Sequence, residues 1–385
     1  MTTTRVLVNL TWLVPGVVGG SEESTTDMLR AVLAEAPPDL RLHLAVLEPF
    51  AAAHPDLADA LPCEVLRLDG SDKRRRVLAE QTWLASRARG LGAAVVHHAG
   101  GVVPLVHPGR VVLTVHDLQP LELSRNFSFA KRTYIRTMAG RSVRAARVVC
   151  VPSEFTRSRV VELLGADPAK VVVVPWSVRP TTTAPTQHGP DGVVLPDRVR
   201  PPYLLYPAIT YPHKNHLVLL DAFAELARVD PEVQLVLTGG EGATEAAVRA
   251  RIDQLGLASR VVRTGRVPAE QLAASYAHAA GVVVPSRYEG FGLPVLEAMV
   301  RGCPVVVARA GSLPEVARPE DLVDPDDVTA WAEAMQAVVS LDPAGRAERV
   351  VEGRATAADF TARRTAQAQL RAYRQALDPD RTPSP

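Results

Sequence analysis

The feature that most constrains the fold is a series of short apolar segments rich in β-branched residues. None of them alternates polar with apolar residues, which is typical of strands buried on both faces of a sheet. Helix-length amphipathic stretches separate most of them, for example Glu22 to Ala36, Arg74 to Leu91 and Phe129 to Ala146. This alternation predicts an α/β domain with a parallel sheet, that is, a Rossmann-like domain. Its predicted strands are RVLVNL (5–10), LHLAVL (42–47), AAVVHH (93–98), RVVLTVHD (110–117), RVVCVPS (147–153) and KVVVVPW (170–176).

The same alternation occurs again later in the chain. Residues 179–202 are crowded with Pro, Thr and Gly and have no helical or strand period, so we interpret them as a linker. We therefore expect one domain at 1–178 and a second Rossmann-like domain at 203–358, followed by a helix at 359–378. The second set of predicted strands is YLLYPA (203–208), VQLVLTG (233–239), RVVRTG (260–265), GVVVPS (281–286) and PVVVAR (304–309).

Composition excludes several classes of function. The net charge of +1 provides no global field for a polyanion, so nucleic acid is not expected as a partner. The three cysteines are far apart and odd in number, which suits a reducing cytoplasm better than a disulfide framework. The N-terminus leads directly into a strand, and no segment has about 18 consecutive apolar residues, so we expect neither export nor a membrane span.

A strand-to-helix turn at 281–300 has the features of an anion site. The strand ends near Pro285, a glycine-containing turn follows, and a helix is predicted to begin near Leu293 with Pro294 in its first turn. Ligands of parallel sheets bind beyond the carboxyl ends of the strands, and the N–H groups at a helix start favour phosphate. Gly290 and Gly292 allow a close approach of the backbone.

Two carboxylates bracket this turn, Glu289 before it and Glu297 eight residues later. Phosphate repels carboxylates, whereas an ionised glutamate accepts hydrogen bonds from the hydroxyls of a diol. A ligand with hydroxyls on both sides of a diphosphate, such as a sugar nucleotide, fits both features. The alternative is structural: Glu289 is a solvated loop residue, and Glu297 caps the helix or pairs with Arg301.

The segment EGFGLPVLEAM resembles the Glu-x7-Glu signature of family 4 retaining glycosyltransferases, which have the GT-B fold. Other segments follow in the family's order over nearly the whole chain. These are NLTWLVPGVVGGSEEST, LTVHDLQPLE, VVCVPSEFTRSRVVELLG, YPAITYPHKNHLVLLDAF, LVLTGG, VRTGRVPAEQLAASYAHA and GSLPEVA. The resemblance implies two Rossmann-like domains facing across a cleft, with the C-terminal helix crossing back to the first domain.

The resemblance also implies separate roles for the two glutamates. Glu297 would hold the nucleotide ribose, and Glu289 would contact the donor sugar beside the reacting face. The remaining residues implied to bind the sugar nucleotide are the backbone of Phe291, Gly292 and Leu293 at the sugar and phosphate, and the turn of Gly265, Arg266 and Val267 at the edge of the base.

Lys214, in YPHKNH, matches the family lysine that neutralises the donor diphosphate. A cation is needed there because the departing nucleoside diphosphate accumulates negative charge. Many family members also have an arginine six residues earlier, where this chain has Ala208. Arg287 or Arg266 is a candidate replacement for that cation.

Two further positions of the first domain match the family. His116 follows a buried strand, and the resemblance places such a histidine near the donor sugar, where it binds and polarises the sugar. The alternative is a strand-end histidine satisfied by backbone. Gly19 and Gly20 end the loop after the first strand, and the resemblance places this loop against the diphosphate or acceptor.

The resemblance therefore implies a retaining, metal-independent transfer of a hexosyl group from a nucleoside diphosphate sugar to an acceptor hydroxyl. The YPHKNH and GSLPEV forms resemble family members that use GDP-mannose or deoxyhexose nucleotides, so GDP-mannose is the favoured donor, with UDP- or dTDP-sugars as alternatives. No cofactor is expected. The acceptor is a sugar, a lipid-linked sugar or a small molecule. The cations between Lys131 and Arg147 suggest peripheral contact with an anionic membrane from the cytoplasm. The alternatives are a nucleotide-sugar hydrolase or epimerase, and a catalytically silent sugar-nucleotide-binding subunit.

Overall fold

The computed structural model describes residues 3–17, 19–123, 129–178 and 195–380, without the side chains of 129–132 and 134. The chain divides into two compact units. The first unit contains Met1–Ser177 together with Phe360–Pro385, and the second contains Val178–Asp359. Each unit is built around its own parallel sheet with helices, which confirms the predicted α/β class.

The sheet of the first unit has seven parallel strands among the described residues, in the order β3-β2-β1-β4-β5-β6-β7. Its central strands are buried because helices cover both faces, as the continuous apolar segments predict. The sequence reading missed β3, which is short and only half-buried. The strands are β1 (Thr4–Asn9), β2 (Leu40–Leu47), β3 (Cys63–Leu66), β4 (Val95–His98), β5 (Arg110–Thr114), β6 (Val148–Val151) and β7 (Val171–Val173).

The helices of the first unit differ from the prediction at one place. The stretch predicted as one helix from Arg74 to Leu91 is two helices, because the chain breaks at Thr82. Thr82 has φ −113° and ψ −68°, and its hydroxyl donates to the carbonyl of Leu78 at 2.9 Å. Such back-bonding by a β-branched residue competes with regular helix geometry. The helices are α1 (Gly20–Ala34), α2 (Glu48–Ala53), α3 (Pro55–Ala60), α4 (Lys73–Gln81), α5 (Trp83–Gly90), α6 (Gln119–Glu122), α7 (Phe129–Ala145) and α8 (Glu154–Leu164).

The second unit has six parallel strands among the described residues, in the order β10-β9-β8-β11-β12-β13. Its strands are β8 (Tyr203–Pro207), β9 (Gln234–Thr238), β10 (Val261–Gly265), β11 (Gly281–Val284), β12 (Val305–Ala308) and the two-residue β13 (Leu322–Val323), which the sequence reading missed. Its helices are α9 (His216–Val229), α10 (Glu245–Gln254), α11 (Ala269–His278), α12 (Leu293–Val300), α13 (Val328–Val339) and α14 (Pro343–Ala357).

The last described helix, α15 (Ala362–Leu377), packs in the first unit although it follows the second in sequence. Its buried face enters the same core as α1, with Leu370 and Tyr373 among the residues of that cluster. The Thr365 hydroxyl donates to the carbonyl of Pro175 at 2.7 Å, and Arg374 forms an ion pair with Asp39 at 2.8 Å. These contacts fix which face of α15 is turned inward.

Each sheet has one point where the strand order reverses direction. In the second unit this point lies between β8 and β11, because β9 and β10 extend to one side of β8 and β12 and β13 extend beyond β11. The loops that leave the carboxyl ends of β8 and β11 therefore lie side by side. Open α/β sheets bind ligands at such a switch point.

Candidate active site

The turn after β11 has the geometry that its sequence predicts. Helix α12 begins at Leu293 with Pro294 in its first turn, which confirms the predicted start. Gly292 precedes it with φ 109°, and a Cβ there would lie 2.9 Å from the Leu313 side chain. Only glycine fits both requirements. Because Gly292 has no side chain to cap the helix, the first amides of α12 depend on other acceptors.

A second loop positions the backbone of Glu289. The Ser312 hydroxyl donates to the Glu289 carbonyl at 2.9 Å. Gly311 has φ 59°, and a Cβ on it would lie 2.9 Å from the Glu289 nitrogen. The sequence prediction used GSLPEVA only for the family resemblance and the donor, and it missed that Gly311 and Ser312 support Glu289.

Lys214 and Glu289 form an ion pair at the switch point. Lys214 Nζ lies 2.6 Å from Glu289 Oε1, and the side chains are only 18% and 13% exposed. Lys214 ends a short 3₁₀ turn after β8, and Tyr206 donates from its hydroxyl to the Lys214 carbonyl at 2.8 Å. Asn215 closes the turn in the left-handed conformation, which asparagine tolerates. The structure thus brings together two predicted site residues that lie 75 positions apart.

The electrostatics of this pair favour an ionised carboxylate. Burial acts to raise the pKa of Glu289, but the charge and hydrogen bond of Lys214 outweigh it, with further contributions from Ser286 and His213, so the pKa is lowered. Because Glu289 is paired and largely buried, it is not a solvated loop residue.

Glu297 has a different partner. The Tyr276 hydroxyl donates to Glu297 Oε2 at 2.7 Å, and burial raises the pKa of this tyrosine well above its usual value. Arg301 does not pair with the carboxylate as the structural alternative supposed. Its guanidinium lies over the Tyr276 ring at 5.0 Å and donates to the Glu297 backbone carbonyl. One oxygen of Glu297 is thus held by Tyr276, which fixes the direction of the carboxylate.

Arg287 and Arg266, the two candidates for the cation that is missing at position 208, have different surroundings. Arg287 Nε donates to Asp326 at 2.9 Å, so its charge is already paired. Arg266 is exposed and follows Gly265 at the end of β10, with Val267 after it. A Cβ built on Gly240 would lie 3.2 Å from Arg266 Nε, which places the arginine against the turn after β9. Ala208 itself is buried and donates its N–H to the Thr238 carbonyl at 2.8 Å.

His116 belongs to the first unit and lies two residues beyond β5. Its Nε2 bonds to the Ala99 carbonyl at 2.8 Å, and the rings of Trp12 and Trp176 lie 5.6 and 5.7 Å from it. Burial lowers the pKa of His116 to about 4, so the imidazole is neutral at pH 7. One ring nitrogen of His116 is therefore satisfied by a backbone carbonyl.

Gly19 and Gly20 also belong to the first unit. Gly19 has φ 62° and is the N-cap residue of α1, which begins at Gly20. The preceding loop is tied to the helix, because Glu22 accepts from the Gly16 N–H at 2.7 Å and contacts His54 at 2.9 Å.

No group of three or more His, Cys, Asp or Glu side chains in the described ranges is placed to hold a metal ion. Within the same ranges, no helix has both the length and the apolar character of a membrane span.

Each half of the chain matches a family model of glycosyltransferases. The family model described as Glycosyltransferase Family 4 matches residues 18–182, and the one described as Glycosyl transferases group 1 matches residues 194–354. A D-inositol 3-phosphate glycosyltransferase of Segniliparus rotundus is 29% identical over 361 residues, which are 89% of this chain and 77% of that protein. The O-antigen chain mannosyltransferase B of Escherichia coli is 31% identical over 226 residues, 57% of this chain and 59% of that protein.

Solved structures of the same fold cover almost the whole chain. A sucrose-phosphate synthase from Thermosynechococcus elongatus aligns with a TM-score of 0.76 at 22% identity, covering 98% of this chain and 99% of that one. Anabaena HepE in complex with UDP-glucose aligns with a TM-score of 0.71 at 19% identity, covering 96% and 99% of the two chains.

Proposed function

The chain belongs to the family 4 glycosyltransferases and has their GT-B fold, and on this premise we propose that it transfers a hexosyl group, with mannosyl favoured, from a nucleoside diphosphate sugar to an acceptor hydroxyl. The transfer retains the anomeric configuration and needs no metal ion. The observation that carries this proposal is the pair of Lys214 and Glu289 beside the start of α12. In this pair, a cation suited to phosphate and a carboxylate suited to sugar hydroxyls lie side by side at the switch point.

The proposed site assigns one part of the donor to each group. Glu297 accepts from the ribose hydroxyls with the oxygen that Tyr276 leaves available. Lys214 and the first amides of α12 neutralise the diphosphate. Arg266, which lies against the turn after β9, supplies the second cation that is missing at position 208. The turn of Gly265, Arg266 and Val267 edges the base.

The proposed sugar contacts come from Glu289 and from the backbone of Phe291, Gly292 and Leu293. When phosphate draws Lys214 towards itself, Glu289 is left to accept from the sugar hydroxyls. In the first unit, the neutral His116 binds and polarises the sugar, and the loop ending at Gly19 and Gly20 contacts the diphosphate or the acceptor.

The proposed reaction occurs on one face of the sugar. The bond from the anomeric carbon to the phosphate oxygen breaks, and the bond to the acceptor oxygen forms on the same face. The acceptor proton passes to the leaving phosphate, so no separate protein base is required.

GDP-mannose is the proposed donor, and one of the relatives described above is a mannosyltransferase by name. Anabaena HepE binds UDP-glucose, so UDP-sugars are the alternative donors to be tested. The acceptor class is a sugar, a lipid-linked sugar or a small molecule. Peripheral membrane contact stays a prediction, because the side chains of Lys131 and Arg132 lie outside the described residues.

A donor and acceptor panel tests this function. Purified protein is mixed with GDP-mannose, UDP-glucose, dTDP-glucose or ADP-glucose, each with methyl α-mannoside, with inositol 3-phosphate or without acceptor. We expect one donor, GDP-mannose first, to release its nucleoside diphosphate at least about tenfold faster with an acceptor. Proton NMR of the product should show the donor's anomeric configuration, with or without EDTA.

Three outcomes would contradict the proposal. Equal release with and without acceptor would assign a hydrolase, and conversion of the donor into another nucleotide sugar would assign an epimerase. A product of inverted configuration would exclude the front-face reaction.

A further inference from the structure

The hydroxyl of Tyr276 is a buried group of the second unit that lies beside the proposed nucleotide site. The side chain is 0% exposed, and its hydroxyl donates to Oε2 of Glu297 at 2.7 Å. Burial, together with the charge of Glu297, raises the pKa of this hydroxyl well above its usual value. The tyrosine therefore keeps its proton at neutral pH and donates it to the carboxylate.

Helix α11 presents this hydroxyl from a fixed part of the backbone. The Tyr203 hydroxyl donates to the carbonyl of Ser275 at 2.7 Å, and the Ser275 hydroxyl donates to the Gln271 carbonyl at 2.7 Å. Tyr203 and Ser275 are both buried. Because Tyr203 belongs to β8, its bond anchors α11 to the sheet one residue before Tyr276.

Arg301 contacts both partners of the bond between Tyr276 and Glu297. Its guanidinium lies 5.0 Å from the centre of the Tyr276 ring, which is within the range of a cation–π contact. The same guanidinium donates to the backbone carbonyl of Glu297 at 3.0 Å. This carbonyl lies in the last turn of α12, where basic side chains commonly satisfy backbone oxygens. Arg301 therefore links the tyrosine ring to the backbone of the glutamate.

These contacts restrict a side chain that would otherwise sample many rotamers. A glutamate has several rotatable bonds, and ordering it when a ligand binds costs conformational entropy. In Glu297, Arg301 contacts the backbone and Tyr276 holds one carboxylate oxygen, so the carboxylate is oriented before a ligand arrives. A group that is ordered in advance binds its ligand more tightly than a mobile one.

We propose that Tyr276 is a positioning residue for nucleotide recognition, whose hydroxyl orients the carboxylate of Glu297 towards the ribose hydroxyls of the donor. The inference rests on the proposed function, which assigns the ribose to Glu297. It adds a dependence of ribose recognition on α11, a helix outside the proposed nucleotide contacts. Helix α11 begins two residues after Val267, so the turn proposed to edge the base leads directly into the helix that orients the ribose contact.

The test compares a nucleotide that has ribose hydroxyls with one that lacks them. GDP and dideoxy-GDP, which lacks both ribose hydroxyls, are titrated calorimetrically into the parent and into Tyr276→Phe. The corresponding uridine nucleotides are used if the parent prefers UDP. The parent should bind GDP about 10- to 100-fold more tightly than dideoxy-GDP.

The tyrosine variant should lose part of this discrimination. In Tyr276→Phe the carboxylate is retained but is no longer oriented, so we expect the ratio of the two affinities to fall by about fivefold. The affinity for dideoxy-GDP should stay within about twofold of the parent, because this nucleotide has no ribose hydroxyl for Glu297 to bind.

Tyr203→Phe is the matched control. Tyr203 is also a fully buried tyrosine of the second unit, and its hydroxyl also bonds to α11, but at the Ser275 carbonyl rather than at a group of the proposed site. We expect this variant to lower the free energy of unfolding while keeping the parent's ratio of affinities. Urea unfolding of both variants measures the effect on stability.

The outcomes separate a positioning role from a purely structural one. A reduced ratio in Tyr276→Phe, with the parent's ratio in Tyr203→Phe, supports the proposal. An unchanged ratio or equal weakening of both nucleotides in Tyr276→Phe overturns it, and so does a similarly reduced ratio in Tyr203→Phe. A parent that binds GDP and dideoxy-GDP equally would contradict the assignment of the ribose to Glu297 in the proposed function, and this inference with it.

Discussion

Replacing Lys214 with methionine is expected to reduce sugar transfer by about two to three orders of magnitude, the usual effect of removing a preorganised stabiliser of developing charge. The same change leaves Glu289 largely buried without its partner. Removing one member of a buried ion pair costs about 3–5 kcal/mol, and we expect the lower end because the side chains keep 18% and 13% exposure. Steady-state kinetics measures the loss of transfer. Urea unfolding, followed by the fluorescence of Trp331 in the second unit, measures the loss of stability.

The double variant Lys214→Met with Glu289→Gln separates these effects. It has no unpaired charge, so we expect it to recover most of the stability and to remain inactive. In Lys214→Met alone, the deficit should shrink as pH falls, because the unpaired Glu289 takes up a proton. Lys73→Met, at the exposed start of α4, is the control and should change neither property. A single variant with parental activity and stability would exclude the proposed role of Lys214.

Mild acid should destabilise both units because each contains histidines that are buried in the neutral form. Burial is the main cause that lowers the pKa values of His97, His98 and His216 to about 3, and these side chains are 0%, 1% and 2% exposed. In the unfolded chain these histidines take up protons near pH 6.5, whereas in the folded chain they stay neutral down to about pH 3. Stability is therefore fully present above pH 6.5 and is lost as pH falls towards 3.

The free energy of unfolding is expected to fall steeply as the pH is lowered. Each such histidine contributes up to about 1.4 kcal/mol per pH unit inside this window. Since domains are stable by about 5–15 kcal/mol, unfolding near pH 4 to 5 is expected. His216→Leu should flatten the slope of the second unit, since both ring nitrogens of His216 are without hydrogen-bond partners among the described residues. Urea unfolding at pH 7.5, 6.5, 5.5 and 4.5 measures it, and an unchanged free energy of unfolding would refute this account.

The turn at 289–297 could be predicted from the sequence because its determinants are local. Glycine at 292, proline at 294 and an apolar helix after them fix the strand-turn-helix geometry, and the observed helix begins at the predicted residue. Continuous valine-rich strands likewise predicted two parallel sheets. The helix break at Thr82 was missed because one threonine interrupts an otherwise continuous helical pattern.

The contacts that complete the site could not be predicted, because they depend on strand order. Lys214 and Glu289 meet only because β8 and β11 are neighbours in the sheet, which no spacing in the sequence reveals. The bond from Tyr276 to Glu297 and the support of Glu289 by Ser312 have the same origin. In the first unit, Gln369 of α15 lines the same pocket as His116 only because α15 packs into that core.

Calorimetric titration with GDP, and with UDP in parallel, tests most directly whether the second unit holds a sugar nucleotide around 289–297. The proposal predicts that Glu297→Ala weakens binding of the preferred nucleotide about 10- to 100-fold, as expected for losing hydrogen bonds to a charged group. Glu289→Gln should keep nucleotide affinity and lose turnover. Glu333→Ala, which removes an exposed glutamate of α13, is the control and should bind within about threefold of the parent. Equal affinity of Glu297→Ala and the parent for both nucleotides would contradict the assignment of this site.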